Sequence, residues 1–158
     1  MNQPSAPNDI RRDLVALLPK MRRFALALAG AAAEADDLVR EACARAIQKS
    51  HHWKGEGRLE SWLYSMVRSL WTDEAKKRKG MRDAAAEPGD DAFGKPAAML
   101  VGMPEGLAAS FLLVDVEGFT YAEAADILGI PVRVLTSRLC AARLRLAAIG
   151  VEATERRA

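Results

Sequence analysis

One stretch without helical periodicity divides this chain into two parts. It runs from Gly80 to Pro104, reads GMRDAAAEPGDDAFGKPAAMLVGMP, and is rich in glycine, proline and acidic residues. Such a segment is uncommon inside one compact domain and ordinary between two. Since the chain has 158 residues, each flanking part can form only a very small domain. The sequence therefore predicts domains at residues 10–80 and 104–150, joined by a flexible linker at 81–103.

The part before the linker shows helical apolar spacing in three segments. The first runs from Asp13 to Ala29, with large apolar residues at three- and four-residue steps, and the second follows after Gly30. The glycine-containing stretch from His51 to Arg58 interrupts this spacing and indicates a loop. The third helix has an apolar side and an opposite basic stripe. That stripe comprises Arg68, Thr72, Lys76 and Lys79.

The part after the linker predicts short helices joined by glycine-containing turns. A helix that opens at Leu107 should end near Gly118, because glycine commonly stops helices. Thr120 is then placed as the N-cap of the next helix, with Glu123 at capping-box spacing. Gly129 begins a short turn into the last helix, which gives the helix-turn-helix pattern. Because all the predicted elements are helices, the fold class is all-α.

The last helix has an apolar side and a polar side near its N-terminal end. The polar side carries Arg133, Thr136, Ser137 and Cys140. In helix-turn-helix proteins this end of the recognition helix enters the major groove, where Arg pairs with guanine and Thr or Ser contacts bases or phosphates. The pattern favours DNA binding, although similar helical pairs occur in proteins that never bind DNA.

Composition narrows the classes of function. The net charge of +2 does not by itself indicate nucleic-acid binding, so the clustering of basic residues carries that inference. Cys43 and Cys140 lack the spacing of a metal site, and we expect reduced thiols and no cofactor. His51 and His52 lie without partnered carboxylates or a nucleophile, so we expect no enzyme activity and no small-molecule substrate. Without a signal core or an apolar run of roughly 18 residues, the chain is expected in the cytoplasm, without membrane contact.

Two ordered stretches of the chain read LLVDVEGFTYAEAADILGIPVRVLTSRL and DDLVREACARAI. The first resembles region four of the extracytoplasmic-function (ECF) sigma factors of the sigma-70 family, and the second resembles the polymerase-binding helix of their region two. The stretch from Trp53 through GRLESWLYSMVRSLWTDEAKKRK resembles the segment that recognises and melts the minus-ten element. The resemblance implies a region 2 helical bundle and a region 4 helix-turn-helix. It also implies a protein that binds core RNA polymerase and promoter DNA, with an anti-sigma factor as a further partner.

The resemblance assigns residues to three binding surfaces. The residues that match the polymerase-docking helix are Asp37, Leu38, Val39, Glu41 and Arg45. The residues that match the minus-ten surface are Trp53, Lys54, Gly55, Arg58, Arg68, Thr72, Lys76 and Lys79. The residues that match the minus-thirty-five surface are Arg133, Thr136, Ser137, Arg138 and Arg143.

Helical periodicity separates some of these residues further. It favours the core for Leu38 and Val39 and leaves Asp37 and Glu41 on one exposed face. Arg138 lies beside the apolar side of the last helix, so it either anchors that helix or contacts DNA.

The tryptophans divide by the same criterion. Trp62 and Trp71 lie on the apolar side of the third helix and are expected in the core. Trp53 lies in the loop, where either packing or base stacking is open to it.

The sequence also departs from the family pattern. A small residue is usual where Arg133 stands, and a basic one is frequent near Cys140 and Ala141. The run EGLAAS replaces a more typical acidic-glutamine-arginine start.

Two alternatives stay open at this point. The sparse charge near Cys140 motivates a sigma-like decoy that captures an anti-sigma factor instead of polymerase. An ordinary helix-turn-helix regulator is the other, although it leaves the first part of the chain unexplained. Within the family, the region-four sequence and the short linker are most similar to those of the alphaproteobacterial general-stress subgroup.

Overall fold

Two compact units, Met1–Ala92 and Phe93–Ala158, make up the chain in the computed structural model. The structure describes residues 7–53, 55, 57–79 and 105–155. Every regular element within these residues is a helix, which confirms the all-α prediction. None of the helices in this part of the chain has an apolar run long enough to cross a bilayer. The predicted linker, residues 81–103, lies outside the described residues.

The first unit contains three long helices. These are α1 (Pro7–Ala29), α2 (Ala32–Gln48) and α3 (Leu59–Lys79), with a 3₁₀ turn at Ser50–His52. Helix α1 begins earlier than the predicted Asp13, because Ile10 is buried four residues before Leu14 and extends the apolar stripe backwards. Proline at the first position of α1 suits a helix start, where its missing N–H has no intrahelical acceptor.

The three helices of the first unit pack against one another around one apolar core. The rings of Phe24 in α1 and Tyr64 in α3 stack, with centroids 4.7 Å apart. Tyr64 is fully buried and lies on the same side of α3 as the buried Val67, three residues further on. Trp62 and Trp71, expected in the core, are only half-buried. Other core residues are Met21, Ala25, Leu28, Ala35, Leu38, Ala42, Ala46, Leu63 and Leu70.

The second unit contains α4 (Glu105–Phe111), a π-helical turn (Leu112–Val116), α5 (Tyr121–Leu128) and α6 (Val132–Glu155). The sequence predicted one helix up to Gly118, whereas the α-helix gives way to the wider turn after Phe111. Within that turn the Glu117 amide donates to the Leu112 carbonyl, five residues back, at 2.9 Å. Gly118 then ends the segment with φ of 75°, as the predicted glycine stop requires.

Capping interactions fix both ends of α5. The Thr120 hydroxyl accepts a hydrogen bond from the Glu123 amide at 3.2 Å, which confirms the predicted N-cap. Gly129 adopts φ of 66° at the other end, where its amide donates to the last turn of the helix. The core that these elements enclose comprises Ala108, Ala109, Leu112, Leu113, Phe119, Ala124, Ala125, Ile127, Leu128, Leu135, Leu139 and Ala142.

Candidate protein and nucleic-acid interfaces

The assigned residues of α2 divide between its core side and its solvent side. Leu38 and Val39 are buried in the core, with 3% and 8% of their surface exposed, as periodicity predicted. Asp37 and Glu41 are exposed, and Arg45 is half-exposed beside them. We call Asp37, Glu41 and Arg45 the α2 charged face. A partner can contact this face directly, whereas the buried Leu38 and Val39 only hold α2 in place against the core.

Ion pairs along α2 leave this face available to a partner. Glu41 pairs with Arg45 at 3.0 Å, and Asp37 approaches Arg40 at 3.6 Å with both side chains at least three-quarters exposed. Exposed pairs of this kind contribute about 0–1 kcal/mol, so a partner's cations can replace the arginines at little cost.

A different ion pair ties α2 to α1, and helical spacing did not predict it. The Arg22 guanidinium lies 2.8 Å from the Asp36 carboxylate, across the two helices. Asp36 is therefore engaged inside the unit, while Asp37 next to it projects to solvent.

The loop that follows the 3₁₀ turn is fastened to α3 by an aromatic contact. The Trp53 ring centroid lies 5.8 Å from that of Trp62, at an interplanar angle of 33°, and both side chains are half-exposed. Such pairs stabilise by about 0.5–1.5 kcal/mol beyond their buried area. Trp53 thus packs on α3 and still presents part of its ring to solvent.

Glycines and an ion pair shape the rest of this loop. Gly55 and Gly57 are exposed and adopt φ of 74° and 75°, which residues with a Cβ rarely do. Arg58 donates to the Glu60 carboxylate at 3.1 Å at the start of α3. Lys54 lies outside the described residues.

The predicted basic stripe of α3 is partly tied to its own helix. Arg68 is half-buried, and its Nε atom has no hydrogen-bond partner in the described part of the chain. The Thr72 hydroxyl donates to the Arg68 carbonyl at 2.9 Å, one turn earlier. Lys76 and Lys79 lie on the last turns of α3, and their side chains lie outside what the structure describes.

The first turns of α6 have the two sides that the sequence predicted. Leu135 and Leu139 are buried, and a set of polar residues opposite them is exposed. We call this set the α6 outer face. It consists of Arg133, Thr136, Ser137 and Cys140. The Thr136 hydroxyl donates to the Val132 carbonyl at 2.9 Å.

The other two assigned arginines of α6 lie against neighbouring elements. Arg138 is half-buried, and its guanidinium covers Gly106 of α4 so closely that a Cβ added there would be 2.6 Å from Nη1. Arg143 makes two hydrogen bonds to Asp115 of the π-helical turn, at 2.9 and 2.7 Å.

Hydrogen bonding and burial shift the pKa values of Asp115, Arg143 and Cys43 among the described residues. The hydrogen bonds from Arg143 lower the pKa of Asp115, and partial burial opposes that shift. Burial raises the pKa of the Cys43 thiol above its ordinary value. In the residues the structure covers, no group of three or more His, Cys, Asp or Glu side chains is arranged to hold a metal ion.

Comparison with known proteins agrees with the division into two units. The sigma-70 region 2 family model matches residues 14–80, and the sigma-70 region 4 model matches residues 97–146. The chain is also 25% identical to the ECF RNA polymerase sigma factor SigE of Mycolicibacterium smegmatis, over 80% of this chain and 56% of that protein.

Two further relatives are similar over nearly their whole lengths. One structure resembles this one with a TM-score of 0.71 and 25% identity, over 87% of this chain and 94% of the other. It shows the sigma factor RpoE in complex with the anti-sigma factor NepR, from Bartonella quintana. The ECF RNA polymerase sigma factor EcfG of Rhodopseudomonas palustris is 33% identical over 154 residues, which are 90% of this chain and 85% of that protein. The chain therefore belongs to the ECF sigma factors of RNA polymerase.

Proposed function

We propose that this sigma factor brings core RNA polymerase to promoters, is inhibited by an anti-sigma factor, and catalyses no reaction itself. The observation that carries the proposal is the exposure of the α2 charged face above a buried Leu38 and Val39. The exposed carboxylates of this face, Asp37 and Glu41, suit docking on a basic surface of a large partner, because complementary charge steers association. Since polymerase and promoters reside in the bacterial cytoplasm, we place the protein there.

We propose that the minus-ten element binds to the loop and the basic stripe of the first unit. Opening the duplex requires a surface for unpaired bases and cations for the phosphates, because base extrusion costs a few kcal/mol. Trp53 offers a ring held in place by Trp62, and Gly55 leaves room for the backbone of a strand to approach. The cations assigned to this surface are Lys54, Arg58, Arg68, Lys76 and Lys79, with Thr72 as a hydrogen-bonding neighbour.

For the minus-thirty-five element we propose the α6 outer face. Arg133 lies in the first turn of α6 and is exposed, as the guanine-pairing residue of a recognition helix must be. Thr136 and Ser137 are exposed beside it. Although the Thr136 hydroxyl donates to its own helix, its oxygen retains lone pairs that can accept from a base.

We propose that an anti-sigma factor binds this chain and inhibits it. Support comes from the RpoE structure, in which the similar chain is bound to the anti-sigma factor NepR. The same relationship, together with the resemblance in region four, supports membership of the alphaproteobacterial general-stress subgroup.

Reconstitution with core RNA polymerase tests the proposal. We expect the purified chain to co-elute with core enzyme in gel filtration, and the holoenzyme to start transcription at a minus-ten/minus-thirty-five promoter. Arg133→Ala should weaken upstream binding of the holoenzyme by about 1–3 kcal/mol, because alanine cannot form the bidentate hydrogen bonds to a base. Arg145→Ala, which removes another exposed arginine of α6, is the matched control and should leave that binding nearly unchanged.

Two results would contradict the proposal. Failure to bind core enzyme, combined with tight binding to an anti-sigma factor, would establish the decoy instead. An unchanged upstream footprint with Arg133→Ala would remove Arg133 from the minus-thirty-five surface.

A further inference from the structure

The three arginines of α6 assigned to DNA occupy different surroundings. Arg133 projects from the α6 outer face, whereas Arg138 and Arg143 lie against α4 and the π-helical turn. We propose that Arg138 and Arg143 are positioning residues, which fix the recognition helix on its scaffold and do not contact DNA. The proposal rests on the function of α6 proposed above.

Arg138 and Gly106 form a matched pair. The guanidinium of Arg138 occupies the space where any side chain at Gly106 would stand, since Nη1, Cζ and Nε lie within 2.6–2.8 Å of an ideal Cβ. The backbone below is held by Ser110, which is fully buried and donates to the Gly106 carbonyl at 2.6 Å. The absence of a side chain at Gly106 thus allows a planar cation to pack flat on α4.

Arg143 is held by a carboxylate in a different element. Its Nε and Nη2 atoms donate to the two oxygens of Asp115, and Asp115 and Tyr121, at the start of α5, both raise the pKa of Arg143. A two-point contact between guanidinium and carboxylate fixes orientation as well as distance. While both bonds are made, Asp115 offsets the charge of Arg143 and leaves only the Nη1 hydrogens and one Nη2 hydrogen for any other acceptor.

The two contacts together restrain α6 in two ways. Arg138 and Arg143 are five residues apart, so their contacts lie roughly 7.5 Å apart along the helix and about 140° apart around it. The buried Leu135, Leu139 and Ala142 hold the apolar side of α6, and the two arginine contacts add restraints against tilt and rotation. Both together hold Arg133 at a fixed place on the surface of the unit.

Hydrogen exchange of α6 amides in the full chain tests the Asp115 contact without DNA. We expect Arg143→Ala and Asp115→Asn each to speed exchange by roughly three- to five-fold, because an exposed two-point ion pair contributes modestly. The double variant should exceed neither single variant, since both remove the same interaction. Arg143→Lys should behave like Arg143→Ala, because lysine cannot make the two-point contact.

A second hydrogen-exchange experiment tests the contact between Arg138 and Gly106. It asks whether the effect of Gly106→Ala on α6 exchange reverses when Arg138 is absent. Gly106→Ala should speed α6 exchange in the wild-type background, because its Cβ displaces Arg138. In an Arg138→Ala background the same change should slow exchange or leave it unchanged, because the space is free and alanine favours a helix. Gly150→Ala is the matched control, since Gly150 lies in α6 and a Cβ added there would meet no other atom within 4 Å. An equal effect of Gly106→Ala in both backgrounds would contradict the pairing.

Salt dependence of holoenzyme binding separates positioning from DNA contact. The probe is the duplex most enriched from a randomised pool by the wild-type holoenzyme. Arg133→Ala should lower affinity and relax the sequence preference for this duplex, because Arg133 is proposed to read a base, whereas Arg138→Ala, Arg143→Ala and Asp115→Asn should lower affinity without changing the sequence preference or the slope of log K against log salt.

The opposite pattern would overturn the proposal. If Arg143 contacts DNA, Arg143→Ala lowers the slope by about one, and Asp115→Asn raises affinity by releasing the cation. Failure to enrich any duplex would instead contradict the function proposed for α6, and the exchange experiments would still decide whether the arginines anchor it.

Discussion

At the scale of single residues, Asp115 shows how an exposed carboxylate can hold a recognition helix. Its neighbour Arg143 lowers the pKa of the Asp115 carboxyl, since the ionised form accepts both hydrogen bonds. When the pKa of a carboxyl is lower in the folded state than in the unfolded state, the carboxylate contributes its full stabilisation at pH values above the ordinary pKa of about 3.9. That contribution is lost as the pH falls below this value and through the folded-state pKa.

The direction of this pKa shift predicts how the effect of Asp115→Asn on α6 amide exchange depends on pH. We expect α6 amides of the variant to exchange faster than those of the wild type at about pH 6, and the ratio to approach unity as the pH falls through the lowered pKa of Asp115. Below that pKa the wild-type carboxyl is protonated and resembles the amide. Exchange rates of the two proteins, compared at each pH, measure the ratio. Asp126→Asn is the matched control for losing a carboxylate in the same unit, and a ratio that stays constant with pH would contradict the expectation.

Helical periodicity predicted which side chains are buried and which are exposed on a helix. It could not predict contacts between residues that are far apart in the sequence. The burial of Leu38 and Val39 and the exposure of Arg133 follow from 100° per residue. Asp115 and Arg143 are 28 positions apart, and their contact depends on how the π-helical turn orients Asp115. No local spacing encodes that contact.

At the scale of elements, the caps of α5 were predictable and the π-helical turn was not. Thr120, Glu123 and Gly129 form a local chemical pattern with one favoured geometry, and the structure contains it. A π-helical turn has no comparable residue signature, since Leu112 to Val116 suit an α-helix equally well.

Gly129→Ala should destabilise the second unit by roughly 1 kcal/mol, because φ of 66° is unfavourable for a residue with a Cβ. The free energy of opening, from exchange of α5 amides, measures the loss. Gly150→Ala adds the same methyl group at a helical position with open space, and it should cause no loss. Equal effects of the two substitutions would mean that the left-handed cap does not matter.

At the scale of the whole molecule, the places where charged residues cluster matter more for DNA binding than the net charge does. With a net charge of +2, the chain as a whole attracts DNA only weakly, so the basic clusters must supply the phosphate contacts. The sequence predicted the end of α3 as one such cluster. Its acidic counterpart lies on α2 of the same unit.

Lys76→Ala combined with Lys79→Ala should therefore flatten the salt dependence of promoter binding. We expect the slope of log K against log salt for the holoenzyme to fall by about two, because each lysine neutralises one phosphate. Arg11→Ala with Arg12→Ala, on exposed positions of α1, removes the same charge and is the matched control. A slope that does not change would show that the α3 lysines are merely solvated.

The contact between Trp53 and Trp62 also gives this protein an optical property. All three tryptophans, Trp53, Trp62 and Trp71, belong to the first unit, so the second unit contributes no indole emission. Two indoles with centroids 5.8 Å apart are close enough to exchange excitation energy. Ultraviolet emission of the free chain should therefore change if Trp53 leaves Trp62, which gives a label-free test of whether the loop stays on α3.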